Sequence, residues 1–308
     1  MPWLNQRMAH AAAASAPLVR QRRARAAGRA AAQAAVTVLV VLALWGFWEA
    51  YRATWQHFGF TRPFVVDQTT MPHIHDMVGA LFEPSRVNGP LLIDVLFDAA
   101  LFTAKEAAVG FVLGASLGFA LGVVLAHSRL LSRGLMPYVV ASQTIPILAI
   151  APMVVIGLGT VDILGWTPSD WQRVSVIAAY LSFFPVTINT VRGLNSADPR
   201  AVELMRSYAA GTWSILWKLR FPASLPYLFT ALKIAATACV VGAIVGELPS
   251  SIQAGLGGAI LNFNQYYTLD PENLWATNII AALLGISFFL VIVIVEKLVV
   301  RRAPENVA

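Results

Sequence analysis

Six long apolar stretches are the feature that most constrains this chain. They cover residues 30–50, 99–126, 138–159, 174–191, 225–245 and 275–295. Each approaches or exceeds the roughly 20 residues that an α-helix needs to cross the apolar core of a bilayer. Because lipid offers the peptide groups no hydrogen bonds, such stretches must satisfy their backbone internally as helices. The pattern predicts an all-α integral membrane protein with six transmembrane helices.

Composition supports a lipid-covered exterior. Hydrophobic residues make up 57% of the chain and charged residues only 12%, whereas soluble domains carry about 25% charged residues. The net charge of +6 is interpreted as membrane topology, because no stripe of Lys and Arg is interleaved with aromatics in the manner of a nucleic-acid surface. Cys239 is the single cysteine, and His73 with His75 has no third ligand nearby in sequence. We therefore expect no metal, cofactor or nucleic acid.

The positive charges indicate the orientation. With the N-terminus in the cytoplasm, the external Lys and Arg residues are Arg52, Arg62, Arg86, Lys105 and Arg173. All others except Lys233, which lies inside the fifth stretch, fall on the cytoplasmic side. Cytoplasmic loops of membrane proteins carry such an excess, so both termini are predicted to be cytoplasmic. The first apolar stretch is long and has no small-residue cleavage site nearby, which favours an uncleaved helix over a signal peptide.

These patterns predict a division of the chain into segments. Residues 1–29 form a cytoplasmic arm rich in Ala and Arg, and residues 30–98 form the first helix with a proline-containing external loop. Residues 99–300 form a core of five helices that includes a cytoplasmic loop at 192–224. Residues 301–308 form a cytoplasmic tail.

Small residues repeat every fourth position in the second stretch, where they share one helix face. Close helix contact in membranes commonly uses such a face. It suits tight packing alone, and it also suits a sliding contact in a transporter. The packing residues are Gly110, Gly114, Gly118 and Gly122.

Two prolines interrupt the third stretch. Pro146 and Pro152 remove two backbone donors and should break or kink the helix. Broken helices in membranes are tolerated where they line a cavity or are buried in protein, so Gln143 is either a residue of a translocation path or part of a simple kink. Glu247 is a second path candidate, although it lies near the external end of its helix. Lys233 lies either in the bundle or snorkels toward the headgroups.

The stretch between the fourth and fifth apolar segments predicts a docking element. Asp198-Pro199 has the residues that start a helix, and this helix is expected to reach about Tyr208. A turn follows, and Thr212 is expected to cap a second short helix that ends at Arg220. The apolar residues of this element suit either a partner protein or the bilayer interface: they are Met205, Tyr208, Trp213, Leu216 and Trp217.

This loop resembles the cytoplasmic loop of bacterial ABC-importer permeases. The family pattern is Glu-Ala-Ala, three residues, Gly, nine residues, Ile, one residue and Leu-Pro. Glu203 and Pro222 match it, while Ala209 stands at the glycine position and Leu219 at the isoleucine position. Since glycine tolerates positive φ and alanine does not, Gly211 is expected to take the role of the missing glycine.

Two further motifs are similar to nitrate/sulfonate/taurine-type permeases. The first joins Ile145-Pro146 and Ala151-Pro152 to Gly157-Leu158-Gly159, and the second joins Gly246-Glu247 to Gly255-Leu256-Gly257. The resemblance covers roughly residues 95–300. It implies the type I ABC-importer permease fold in a bacterial inner membrane, without enzymatic activity of its own.

The resemblance also implies partners and roles. ATP would be hydrolysed on separate cytoplasmic ATPase subunits, an external solute-binding protein would deliver the substrate, and a second permease copy would complete a homodimer in the lipid bilayer. It implies that the ATPase is engaged by Glu203, Met205, Tyr208, Ala209, Gly211, Trp217, Leu219 and Pro222. The chain itself contains no phosphate-binding loop of the G-x-x-x-x-G-K-[ST] type.

Two alternatives to this function have different sequence requirements. A secondary transporter or channel explains the glycine face and the broken helix equally well, but it does not explain the cytoplasmic element. A membrane enzyme would require a catalytic motif, and no H-E-x-x-H or G-x-S-x-G occurs. For the substrate, the resemblance allows nitrate, sulfonates, taurine or vitamin precursors, and residues 142–152 look closer to the vitamin-precursor members.

Overall fold

The computed structural model describes residues 32–62, 65–86, 88–162, 167–250 and 252–300, together with Gly28 and Gly165. The arm predicted at 1–29, apart from Gly28, and the tail predicted at 301–308 lie outside this part of the chain. The described part is helical and contains no β-strand beyond one isolated bridge between Pro84 and Leu91. Its helices are α1 (Ala32–Phe58), α2 (Ile74–Ala80), α3 (Leu92–His127), α4 (Arg129–Ser142), α5 (Ile147–Gly159), α6 (Asp170–Leu194), α7 (Pro199–Ser207), α8 (Thr212–Ile215), α9 (Phe221–Glu247), α10 (Leu256–Gln265) and α11 (Pro271–Val299).

Five continuous helices are long and apolar enough to cross a bilayer. They are α1, α3, α6, the continuous helix Thr212–Glu247 and α11, and the bent pair of α4 and α5 makes up to six if it counts as one span. Large apolar side chains such as Leu39 and Phe47 on α1 and Leu298 on α11 are more than 60% exposed. In water such surfaces would aggregate, whereas lipid accommodates them. The predicted all-α integral membrane fold is confirmed.

The chain divides into two compact units, Met1–Ile74 and His75–Ala308. In the first unit, polar contacts tie the end of α1 to the segment that follows it. Trp48 Nε1 donates to the Pro72 carbonyl at 3.2 Å, and the Glu49 carboxylate lies 2.7 Å from His73 Nδ1. Arg52, which is 4% exposed, donates to Gln68 Oε1 at 2.7 Å. These contacts bind the segment that contains His73 to the end of α1.

The second unit is built around α3, α6 and α9, which pack against one another, with α11 against α9. Ala107, Ile177, Ala178, Cys239 and Ala243 belong to the central apolar cluster. α3 has 36 residues and therefore spans about 54 Å at 1.5 Å per residue. This length exceeds the roughly 30 Å apolar core of a bilayer, so the ends of α3 extend beyond it. The helix accordingly starts at Leu92, before the apolar stretch that begins at residue 99.

The third apolar stretch is broken, and the break lies at Pro146. α4 ends at Ser142, α5 begins after Pro146, and the two helices are bent by 97°. The Tyr180 hydroxyl of α6 donates to the Ser142 carbonyl at 2.6 Å, which satisfies a carbonyl that the end of α4 leaves open. Pro152 lies inside α5 and does not break it. The predicted interruption is therefore confirmed at the first proline only.

The glycine face of α3 lies directly against α6. A Cβ atom added at Gly110 would lie 2.7 Å from the Ser175 carbonyl oxygen, and one at Gly118 would lie 2.6 Å from that of Phe183. A Cβ atom at Gly114 would overlap Ser182 Oγ. These distances leave no room for a side chain, so the two backbones meet at their closest possible approach.

Replacing Gly114 or Gly118 by Leu should separate α3 from α6 and reduce the yield of folded protein severely. The matched control is Gly285→Leu on α11, where an added Cβ atom meets nothing within 4 Å. The measurement is the monodisperse fraction in detergent by size-exclusion chromatography. Folded yields of Gly114→Leu and Gly118→Leu equal to that of the control would contradict the packing described for α3.

Candidate functional site

The segment between α6 and α9 folds as a capped element at one end of the second unit. Asp198 Oδ1 accepts a hydrogen bond from the Arg200 backbone N–H at 2.9 Å, so Asp198 caps α7 as expected for this residue type. At the other end of α7, Ala210 N–H donates to the Met205 carbonyl and Ala209 N–H to that of Arg206. This pair of bonds is a Schellman motif, which normally places glycine in the left-handed position.

Ala209 itself adopts the left-handed conformation, with φ of 54°. The expectation that Gly211 replaces the missing glycine is wrong, because Gly211 has φ of −68° and precedes the next helix. An added Cβ atom at Gly211 would meet nothing within 4 Å. The turn therefore keeps its geometry and bears the conformational cost of an alanine in the left-handed region.

The predicted second short helix is not a separate helix. It begins at Thr212, which makes no capping hydrogen bond, and continues through a π-helical turn at Leu216–Arg220 into α9. The Phe221 N–H donates to the Leu216 carbonyl five residues earlier. Pro222 lacks an N–H, so the helix widens before the proline and continues without a break. The element is thereby joined rigidly to the continuous helix Thr212–Glu247.

A small apolar cluster fastens α7 to the start of this helix. Val202 and Ile215 are buried in it. Three of the residues predicted to dock on a partner face the interior of the element. Met205 and Leu219 pack against this cluster. Leu216 is only 4% exposed. Leu216 is thus buried inside the element, while Met205 and Leu219 are partly buried against it.

The outward surface of the element carries four large apolar side chains. We name it the docking surface, and its residues are Leu204, Tyr208, Trp213 and Trp217, with exposed fractions of 58%, 80%, 72% and 54%. Glu203 is also exposed, and no ion pair joins it to Arg200 or Arg206 in the described part of the chain. Pro222 lies exposed one turn beyond Trp217, whose ring centroid is 5.1 Å from that of Phe221. Leu204 was not among the residues predicted for this role, and its 58% exposure adds it to the set.

A polar cavity of about 780 Å³ lies beside this element. It is bounded by the turn between α3 and α4, the end of α6 and the start of α8, and no acidic side chain lines it. None of its arginines takes part in an ion pair within the described residues. The basic residues that line it are His127, Arg129, Arg133, Arg206 and Arg220. The lining of this cavity is therefore positively charged.

The path candidates lie in different environments. Gln143 and Pro146 are exposed at the bend between α4 and α5, and Pro152 is half-buried in α5. The Gln143 backbone N–H donates to Val140. Lys233 forms an ion pair of 2.6 Å with Glu296 of α11, so its charge is paired between α9 and α11.

Glu247 is fully buried and acts as a helix cap. α10 begins after Gly255, which has no side chain to cap it, and the Glu247 carboxylate takes that role by accepting the Gly257 N–H at 2.5 Å. An added Cβ atom at Gly255 would overlap this carboxylate. The Gly246-Glu247 and Gly255-Leu256-Gly257 motifs thus form one structure, and Glu247 is not exposed on an open path.

Replacing Ala209 by Gly should stabilise the turn. A left-handed alanine costs roughly 1–2 kcal/mol, and the extra freedom of glycine in the unfolded chain offsets about 0.4–1 kcal/mol of this gain. A net gain of about 0.5–1 kcal/mol is expected, measured as a higher Tm in detergent. Ala210→Gly is the matched control and should lower the Tm, because Ala210 is not in the left-handed region and glycine only adds freedom to the unfolded chain. A Tm lowered by Ala209→Gly would contradict the left-handed turn.

Comparison with known proteins agrees with this arrangement. The family model of the binding-protein-dependent transport system inner membrane component matches residues 114–303. Formylaminopyrimidine transport permease protein ThiX of Halalkalibacterium halodurans is 33% identical over 190 residues, covering 62% of this chain and 71% of the relative. Riboflavin transport system permease protein RibX of Chloroflexus aurantiacus is 30% identical over 207 residues, covering 67% and 73%. A putative aliphatic sulfonates transport permease protein of Bacillus subtilis is 28% identical over 195 residues, covering 63% and 66%. The chain therefore belongs to the binding-protein-dependent transport inner membrane component family, the permease subunits of ABC transporters.

Proposed function

We propose that this permease forms the membrane path of an importer driven by ATP hydrolysis on a separate cytoplasmic subunit, with substrate delivered by an external binding protein. The observation that supports this most directly is the docking surface, since four exposed apolar side chains on a capped element need a partner to cover them. A carrier or channel without an ATPase does not explain such an element. A second copy of the permease would complete the path.

The proposed orientation places the docking surface in the cytoplasm. The arginines that line the cavity beside it lie at the same end of the second unit, and cytoplasmic ends of membrane proteins carry such charges. The capped start of α10 then lies at the external end, because the continuous helix Thr212–Glu247 joins the two. Both termini are cytoplasmic in this orientation.

Rigid attachment supports a coupling role for α7. The ATPase would grip Leu204, Tyr208, Trp213 and Trp217, while the inward residues Met205 and Leu219 transmit the displacement. The π-helical turn joins α8 to α9 without a loop, and the apolar cluster holds α7 against α8. We therefore expect a displacement of α7 to move α9. The bend at Gln143 and Pro146 is the proposed site where the path opens between the two permease copies.

For the substrate we propose a small nitrogen heterocycle of the vitamin-precursor type. Two of the relatives at 30% identity or more are named for formylaminopyrimidine and riboflavin, whereas those named for sulfonates and nitrate are 28% and 22% identical. Both of the former ligands are planar nitrogen heterocycles. Binding-protein-dependent ATP hydrolysis in proteoliposomes should therefore respond to a pyrimidine-loaded binding protein, and a response to taurine instead would overturn this assignment.

Tyr208→Ala and Trp217→Ala should weaken the permease–ATPase complex. Aromatic anchors at interfaces commonly contribute about 2 kcal/mol or more, which corresponds to a roughly 30-fold loss of affinity. Tyr208 is the sharper test because its side chain is largely free of packing within the chain. The measurement is copurification of the ATPase together with its stimulated hydrolysis rate.

The matched control is Tyr266→Ala, which removes an aromatic side chain of 54% exposure beyond α10. It should leave the complex intact. If both docking-surface variants retain ATPase binding at the level of this control, the element is not the coupling site. Transport that proceeds without ATP would overturn the importer itself.

A further inference from the structure

A second buried carboxylate lies on α3 one helical turn from Thr103, the residue whose hydroxyl group binds the Glu247 cap. Glu106 of α3 is fully buried, and neither of its carboxyl oxygens accepts a hydrogen bond from a donor in the described residues. It is one turn beyond Thr103, on the face of α3 that continues into the glycine face. A buried charge without hydrogen-bond donors is among the most costly features a protein core can contain.

The neighbouring donors are already committed to Glu247. Thr103 Oγ1 donates to Glu247 Oε1 at 2.6 Å and itself accepts the Leu256 N–H at 2.9 Å. The Gly257 N–H binds Glu247 Oε2 at 2.5 Å. Glu247 thus has the environment of an ionised carboxylate, and Thr103 has no proton left for Glu106.

The charged groups around Glu106 do not neutralise a second carboxylate next to Glu247. Lys105 is the cationic residue next to Glu106 on α3. The Lys105 ammonium is directed away, 3.8 Å above the Trp171 ring, and the residue is exposed. Among the other ionisable groups near this end of the unit, Arg173 of α6 pairs with Asp170 at 3.0 Å, α5 and α10 carry none, and α11 carries Glu272 in its first turn.

We propose that Glu106 and Glu247 form a proton-binding site, in which Glu106 is the carboxylic acid and donates its single proton to the Glu247 carboxylate. Two carboxyl groups in contact cannot both ionise, and one shared proton turns their repulsion into a hydrogen bond. The bond joins α3 to α9, and through the cap it joins both to the start of α10. The site is independent of the ATPase and of the transported solute.

A shared proton makes the stability of the folded protein fall as the pH rises. The folded pair retains a proton that a free carboxyl in the unfolded chain releases above about pH 4. Because the folded state then binds more protons than the unfolded state, stability must fall as the pH rises above that value. Glu106→Gln keeps a donor next to Glu247 without an ionisable proton, so it should abolish this part of the fall.

The test compares wild-type permease with Glu106→Gln, Glu247→Gln and the exposed control Glu83→Gln. In nanodiscs, the Tm of wild type and Glu83→Gln should fall between about pH 6 and about pH 8. Glu106→Gln should show a flatter profile and, at the upper end, a higher Tm by a few degrees. Glu247→Gln should lose stability at every pH, because an amide group would replace the carboxylate that accepts from Thr103 and Gly257.

Infrared spectroscopy reports the proton itself. Wild type should show the C=O stretch of a protonated carboxylic acid at neutral pH, and Glu106→Gln should lose it while Glu83→Gln retains it. Parallel Tm profiles in wild type and Glu106→Gln, or an unchanged carboxylic-acid band, would overturn the proposal. If Glu106→Gln does not fold, a wild-type Tm that stays level or rises between about pH 6 and about pH 8 would overturn it equally.

Discussion

The close contact between α3 and α6 is the constraint on which the rest of this membrane core depends. Lipid provides no hydrophobic drive for helices to associate, so association relies on close van der Waals packing and on hydrogen bonds between helices. The four glycines of α3 allow both, and Ser182 of α6 reaches the Gly110 carbonyl at 3.4 Å. Because α9 packs against both helices, its position depends on this contact.

The two ends of the long helix Thr212–Glu247 have different roles in this account. At its start, a π-helical turn and a small apolar cluster hold α7 rigidly, with the docking surface outward. At its other end, Glu247 caps α10 and binds Thr103 of α3, one turn from Glu106. We infer that displacement of α7 by an ATPase is transmitted along one continuous helix to the opposite end of the permease.

Much of the fold follows from sequence patterns, since apolar length, a glycine repeat and a proline in an apolar stretch each act locally. The six apolar stretches and the break at Pro146 are of this kind. Ala209 is different, because its left-handed φ is imposed by the Schellman hydrogen bonds against its own preference. The predicted helix end at Arg220 is wrong, because a widened π-helical turn accommodates Pro222 and α8 continues into α9.

Contacts between residues far apart in the chain account for the parts of the site that local sequence patterns do not predict. Glu106 and Glu247 lie on different helices, and no spacing rule relates them. The sequence does not predict the ion pair between Lys233 and Glu296 for the same reason, because the two residues lie on different helices. Within the docking element, an apolar residue such as Leu216 or Trp213 faces inward or outward according to how α7 folds back on the next helix. Composition alone gives no sign of that choice.

Thiol crosslinking distinguishes which end of the second unit meets the ATPase. In a Cys239→Ala background, single cysteines would replace Trp213 on the docking surface and Tyr266 at the opposite end. We expect Trp213→Cys to crosslink to the ATPase and Tyr266→Cys not to do so. On intact cells, Tyr266→Cys should instead react with a membrane-impermeant thiol reagent. Crosslinking of the ATPase to Tyr266→Cys, with external labelling of Trp213→Cys, would contradict both the orientation and the coupling role of the element.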